Sequence, residues 1–218
     1  MLDAEQLRGL VSVWKDRSWL SRFSFGCSDS VLNFAIDAFR SDYNRWFPDD
    51  STIDIRKLIR TPQLIAMLLY RISHTLHFPP PLGRLDERAL GTGMWNSEEE
   101  PDAKDEFFLL GRDIGQIEIY YSATIGSAFK INHGVGTVIG ARCRIGDNCT
   151  IHQNVTIGDR KGGRPKIGNN CMIYAGSMIL GDIEIGDNCV IAANAVVIDS
   201  CPPNSLLIGT PAEVRKLK

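Results

Sequence analysis

The sequence predicts a mainly β protein, a parallel β-helix wound from six-residue repeats and preceded by an α-helical N-terminal domain. Three observations carry this. Aliphatic residues recur with a step of six, at Ile119, Ile125 and Ile131, then from Ile139 to Ile157, then from Ile167 to Val197. Glycine follows many of them, as Gly126, Gly140, Gly146, Gly158, Gly168 and Gly186. The phrase Ile-Gly-(Asp/Asn)-Asn-Cys stands at 145–149, 167–171 and 185–189. A period of six matches neither a helix nor an alternating strand. It matches a triangular prism in which each hexad is one short strand and one corner.

Residues 1–78 read as the helical domain. Asp29 or Ser30 can cap a segment with Val31, Phe34, Ala35, Ala38, Phe39, Tyr43 and Trp46 at helical spacing. Thr61-Pro62 reads as a cap with proline at the first helical position. The helix it opens is apolar nearly all round from Leu64 to Leu69, which predicts burial or an oligomer interface. Pro79-Pro80-Pro81 stops it. Residues 79–111 read as a linker or surface insertion, with clustered prolines, glycines and the run Glu98-Glu99-Glu100.

Residues 112–218 read as the β-helix. Ile139, Ile145 and Ile151 take three successive faces, and Ile157 returns to the first. Four extra residues precede Ile167, so Ile145, Ile167 and Ile185 stack on one face, inward, about 4.8 Å apart. The Asp and Asn that follow suit tight corners, because they tolerate left-handed backbone angles. Cys149, Cys171 and Cys189 fall at the fifth hexad position, and so do Cys143 and Cys201 on another face. A slot shared by five cysteines predicts buried, unreactive thiols. Their spacing fits no standard zinc site, and no metal is expected.

Composition excludes several function classes. A formal net charge of −2 gives no electrostatic footprint for nucleic acid. The longest apolar run, Leu64 to Tyr70, is far too short to span a bilayer. Residues 1–20 show no basic segment followed by a long apolar run, so no secretory signal is read and a cytoplasmic location is expected.

A regular prism offers no active site, so chemistry is sought where the period breaks. The stretch Ile131–Ile139 runs two residues long and holds Asn132 and His133 among glycines. The stretch 156–168 contains a glycine-rich basic extrusion. The coils end at Leu-Ile-Gly-Thr-Pro-Ala-Glu-Val.

These breaks resemble the serine acetyltransferase family of hexapeptide acyltransferases. The matching pieces are YRISHTL at 70–76, ATIG at 123–126, NHGVGTVIG at 132–140, NVTIGDRKGGRPKIG at 154–168, ILGDIEIGDN at 179–188 and IGTPAEV at 208–214. The resemblance implies a left-handed β-helix that forms a homotrimer or a dimer of trimers, with active sites between neighbouring prisms. It implies acetyl-CoA as co-substrate and a hydroxyl as acceptor. It makes His133 the general base, and Glu118, 15 residues earlier, the acid that orients it. A base is needed because a hydroxyl is a poor nucleophile at neutral pH.

Asn132, Arg164 and His152 are the expected acceptor-binding residues, although His152 reads equally as solvated surface. Gly158, Arg160, Gly163, Lys166, Ala175, Gly176, Ala193, Thr210 and Pro211 are the expected acetyl-CoA contacts, with basic side chains meeting phosphates. His74 reads as structural.

Four departures bear on the acceptor. Serine acetyltransferases usually carry Asp where Asn132 stands, an Arg-His pair where Gly163 and Arg164 stand, and Asp where Glu118 stands. Their cysteine-synthase docking tail is not expected, since the chain ends on Val-Arg-Lys-Leu-Lys. These features resemble the capsule and colanic-acid polysaccharide O-acetyltransferase branch. A sugar hydroxyl is therefore the expected acceptor, with L-serine as the alternative and a non-catalytic trimeric scaffold as a third class.

Overall fold

The computed structural model describes residues 2–18, 20–21, 24–79 and 103–216. The N-terminal region begins with α1 (Ala4–Asp16), capped by Asp3, whose carboxylate accepts from the Gln6 amide at 2.8 Å. The cap of α2 (Asp29–Asn44) is Ser28, one residue earlier than expected. Its hydroxyl accepts from Val31 N, while Asp29 is engaged by Arg8 at 2.6 Å. After the short α3 (Ile55–Ile59) comes α4 (Pro62–His77), which has proline at its first turn as expected. The Thr61 hydroxyl does not cap α4; it donates back to Lys57 O at 2.9 Å.

The expected 79–111 insertion is corrected in part. Residues 103–111 form the front of α5 (Ala103–Gly115), whose Phe107, Leu110 and Gly111 are buried against α4. Phe107, Leu110 and Gly111 recur at helical spacing, but the polar and glycine-rich residues before them masked that period. The acidic run at 98–100 lies outside the described residues. With α2 on one side and α5 on the other, α4 is buried along almost its whole length.

Polar contacts lock this helical layer to the first coil. Tyr70 donates its hydroxyl to Ala123 O at 2.8 Å. The buried Arg71 guanidinium grips Asp42 with two hydrogen bonds, of 2.9 and 3.1 Å. It reaches Ile125 O and Gly126 O at 2.7 and 2.6 Å. His74 sits at the same contact, with Nδ1 2.8 Å from Tyr121 O, in the structural role expected of it.

The prism starts at β1 (Glu118–Ile119), β2 (Thr124–Ile125) and β3 (Lys130–Ile131), one strand per face. The next coils are β4 (Val138–Ile139), β5 (Arg144–Ile145), β6 (Thr150–Ile151), then β7 (Thr156–Gly158), β8 (Lys166–Ile167), β9 (Met172–Ile173). They continue through β10 (Met178–Leu180), β11 (Glu184–Ile185), β12 (Val190–Ile191) and β13 (Val196–Val197). The first face runs β1-β4-β7-β10-β13, the second β2-β5-β8-β11, and the third β3-β6-β9-β12-β14. All these pairs are parallel, and the register is the one read from the sequence: Ile145 pairs Ile167, and Ile167 pairs Ile185. The last coil closes with an antiparallel hairpin, β14 (Ser205–Gly209) and β15 (Ala212–Lys216).

The repeated phrase has a physical account. Its isoleucines face inward, each contributing about 1.5–3 kcal/mol on burial. Its glycine permits close stacking: a Cβ on Gly146 or Gly168 would collide with the side-chain oxygen of Asn169 or Asp187 in the next coil. Asn148, Asn170 and Asn188 take positive φ and form a side-chain ladder with bonds of 2.8, 3.1 and 3.2 Å ending on Asn204. All six cysteines are buried, and Cys143, Cys149, Cys171, Cys189 and Cys201 of the prism are free thiols. Cys149, Cys171 and Cys189 point thiols at carbonyls of the next coil, Gly168 O at 3.2 Å, Gly186 O at 3.4 Å and Pro202 O at 3.4 Å. Burial pushes the Cys143 thiol up, and that of Cys201 to about 11. No described helix is long and apolar enough to cross a membrane.

Candidate active site

His133 lies in the corner that carries the chain from β3 to β4, where two residues beyond the period make a compact turn. Gly134 N donates to Asn132 O at 2.8 Å, Val135 N to His133 O at 3.0 Å, and Thr137 N to Gly134 O at 3.0 Å. The turn holds His133 at φ +66°, a left-handed conformation that few non-glycine residues adopt. Such strain persists only where surrounding structure fixes it. One fixing contact comes from the helical domain: Gln63, in the first turn of α4, donates its side-chain amide to His133 O at 2.8 Å. The backbone is thus pinned while the imidazole stays exposed.

The corner recurs in each coil above. Asn132 N bonds to Ile151 O, His152 N to Ile173 O at 3.0 Å, and Tyr174 N to Ile191 O at 3.0 Å, so Asn132, His152, Tyr174 and Ala192 form one column. Asn132 Nδ2 is 3.5 Å from His152 Nε2, and the His152 ring stacks on Tyr174 with centroids 5.1 Å apart. Partial burial, together with the neighbouring His133, holds His152 below the usual imidazole range, which favours its neutral form. The structure therefore brings together Asn132, His133 and His152, and adds Tyr174 to them.

Small residues continue this column. Ala175 and Gly176 are half-buried and Ala193 is exposed. Gly176 has φ +72°, and a Cβ there would strike the Asn194 side chain. The turn at Thr210-Pro211 reaches the same corner, where Thr210 donates its hydroxyl to Asn194 O at 3.2 Å.

Glu118 departs from expectation. It opens β1, and its amide bonds to Thr137 O at 2.9 Å, on the chain that leaves the His133 turn. Its carboxylate, however, does not pair with His133. Glu118 Oε2 lies 3.7 Å from Arg112 Nη1, on the last turn of α5. A guanidinium presents a permanent positive charge, so it takes the carboxylate from an imidazole that carries charge only when protonated.

The basic extrusion, residues 159–165, leaves a different corner, between β7 on the first face and β8 on the second. It is a small hairpin in which Arg160 N and Gly163 O, and Gly163 N and Arg160 O, bond reciprocally at 3.4 and 3.1 Å. This corrects the role expected for Gly163: its amide is taken, and its lack of a Cβ lets the loop lie on Asp182. Arg164 is corrected likewise. Its guanidinium is paired with Asp159 and bonded to Ala141 O at 3.0 Å, and so lies folded into its own loop. Lys166 pairs with Glu184 at 2.7 Å, which raises its pKa. Arg160 and Lys161 are exposed and in no ion pair among the described residues, leaving them as the loop's available cations. Gly158 is buried in β7, paired with Leu180.

No cluster of His, Cys, Asp and Glu among the described residues has the makings of a metal site.

Comparison with known proteins agrees with this architecture. Residues 164–199 match a model described as bacterial transferase hexapeptide (six repeats), and residues 136–160 one described as hexapeptide repeat of succinyl-transferase. A serine acetyltransferase of Staphylococcus xylosus is 44% identical over 124 residues, covering 52% of this chain and 57% of that protein. One from Bacillus pumilus is 40% identical over 122 residues, covering 51% and 56%. The matched stretch is thus little more than half the length of these relatives. Among solved structures, the serine acetyltransferase of Neisseria gonorrhoeae in complex with serine superposes with TM-score 0.64 at 26% identity, over 86% of this chain and 70% of that one. The soybean serine acetyltransferase apoenzyme shares the fold at TM-score 0.67 and 23% identity, over 97% and 92%.

Proposed function

We propose that this chain is an acyltransferase that moves the acetyl group of acetyl-CoA to the hydroxyl of L-serine, with His133 as general base. The observation that carries this is His133 itself. An exposed imidazole is held by a left-handed turn and a helix-borne Gln63 at the foot of the column of Asn132, His152, Tyr174 and Ala192, with Ala175, Gly176 and Ala193 beside it. The relatives named serine acetyltransferase point to the acceptor, in favour of L-serine over the sugar hydroxyl that Asn132 first suggested.

In the reaction, His133 takes the hydroxyl proton as the oxygen bonds to the thioester carbonyl carbon. The imidazolium then returns that proton to the departing thiolate as the carbon–sulfur bond breaks. A positioned base of this kind contributes about 10²–10⁴ in rate. Ala175, Gly176 and Ala193 leave room for the pantetheine arm, and Arg160 and Lys161 are the free cations for the nucleotide phosphates. His133 and the basic loop occupy different corners of the prism. This supports a trimer in which one copy's His133 meets donor-binding groups of the next.

A sugar hydroxyl remains the second reading, favoured by one observation. The corner holding His133 carries the neutral Asn132 beside His152, with no carboxylate in the column. Acceptor profiling with labelled acetyl-CoA decides between the two. Transfer to L-serine supports the proposal; transfer to a sugar panel with none to L-serine supports the second reading; transfer to neither defeats both.

A further inference from the structure

Between the last turn of α5 and the first coil lies a cavity of about 330 Å³, within the range of small-molecule sites. Its polar lining is Arg112, Asp113, Gln116, Glu118 and Thr137. Gly136 also lines it, and the Gly136 amide bonds to Gln116 O at 2.9 Å, joining the cavity wall to the turn that carries His133. Arg112 and Glu118 are 46% and 37% exposed and 3.7 Å apart. The guanidinium also lies over the Phe108 ring, 5.8 Å from its centroid. These charges are therefore sheltered but not sealed, and a ligand can compete for either.

We propose that Arg112 is the residue that recognises the carboxylate of an amino-acid acceptor, and that by taking this carboxylate it releases Glu118 to His133. The inference rests on the acceptor reading above and deepens it. The chemistry is a one-for-one exchange. An α-amino acid brings one carboxylate and one ammonium: the carboxylate replaces Glu118 at Arg112, and the ammonium meets the acidic lining at Asp113. A guanidinium suits this task, because it binds a carboxylate through two parallel hydrogen bonds. A neutral polyol can disrupt the Arg112–Glu118 pair only by leaving two charges without partners in a half-buried cavity. The cavity consequently selects zwitterions, although Asn132 supplies no charge.

The same exchange accounts for the position of Glu118. Without acceptor, Arg112 holds the carboxylate away from the base; with acceptor, the carboxylate is free to orient the imidazole. Orientation of the base and occupancy of the acceptor site are then linked, and the base is assembled only when its substrate is in place. Arg112 acts on specificity and positioning; the proton transfer stays with His133.

The test uses the full-length chain and compares L-serine with L-serinamide, which lacks the carboxylate. Arg112→Met should raise KM for L-serine roughly ten- to a hundredfold. KM for acetyl-CoA and the thermal midpoint should hold, and the preference for L-serine over L-serinamide should shrink. Arg112→Lys, which keeps the charge but loses the fork, should restore part of that preference and guards against a folding artefact in the first variant. An unchanged L-serine KM in Arg112→Met, or equal losses with both acceptors, overturns the role of Arg112 while leaving serine acetylation standing. A wild-type chain that transfers nothing to L-serine overturns both together.

Discussion

Among the contacts that dock the helical layer on the prism, the buried Arg71–Asp42 pair, which also binds Ile125 O, Gly126 O and Phe129 N of the first coil, makes a sharp test by its removal. Arg71 and Asp42 have side chains 8% and 0% exposed. Substituting Asp42→Ala removes both acceptors of the Arg71 hydrogen bonds at 2.9 and 3.1 Å, and also the carboxylate oxygen that accepts from Phe129 N at 2.8 Å. The guanidinium keeps only Ile125 O and Gly126 O. Leaving a buried charge without its counter-charge costs about 3–5 kcal/mol. Arg71→Met strands the Asp42 carboxylate in the same way and should cost a similar amount. The double substitution strands neither charge, so its loss should fall short of the sum of the singles by about 1–3 kcal/mol. Urea unfolding of the four proteins at one fixed concentration reads the cycle. Additive losses, or a single substitution costing under about 1 kcal/mol, would show that the pair contributes no more than an exposed one.

Other expectations follow from the site and the core. Glu118→Gln should lower turnover at saturating substrates by less than loss of His133, since an amide still hydrogen-bonds but no longer balances an imidazolium; unchanged turnover would assign Glu118 to the scaffold. Cys149, Cys171 and Cys189 should resist thiol-specific labelling in the native protein, and their joint replacement by alanine should spare activity; rapid labelling with inactivation would refute the packing role. Burial holds His74 below the ordinary value of 6.5. Just below that pH the unfolded chain binds more protons than the folded one, so stability present above about pH 6.5 should decline as pH falls to 5.5. His74→Gln should flatten that decline, and a urea midpoint that does not move between pH 7.5 and 5.5 would contradict it.

The prism was legible because its physics is local and repeated. An isoleucine that must face inward every six residues, and a glycine that must admit the next coil, write themselves into the sequence at Ile145, Ile167 and Ile185. His133 was legible for the opposite reason, as a break in that period. What escaped were contacts between elements. Gln63 carries no local signal, because its role depends on where α4 docks. Arg112 stands six residues before Glu118, yet its helix was hidden behind a stretch read as loop. Residue type and the family resemblance point Arg164 and Gly163 at substrates, whereas the loop folds onto itself through Asp159 and Asp182.

His133 is proposed to drive acetyl transfer from acetyl-CoA to L-serine. The most direct test measures thiol release and the acetylated product, with and without L-serine, for the wild-type chain and for His133→Ala. L-serine-dependent release is expected in the wild type, and in the variant a rate lower by about 10²-fold or more with KM for acetyl-CoA retained. Equal turnover in the two proteins, or acetyl transfer that ignores L-serine, would contradict it.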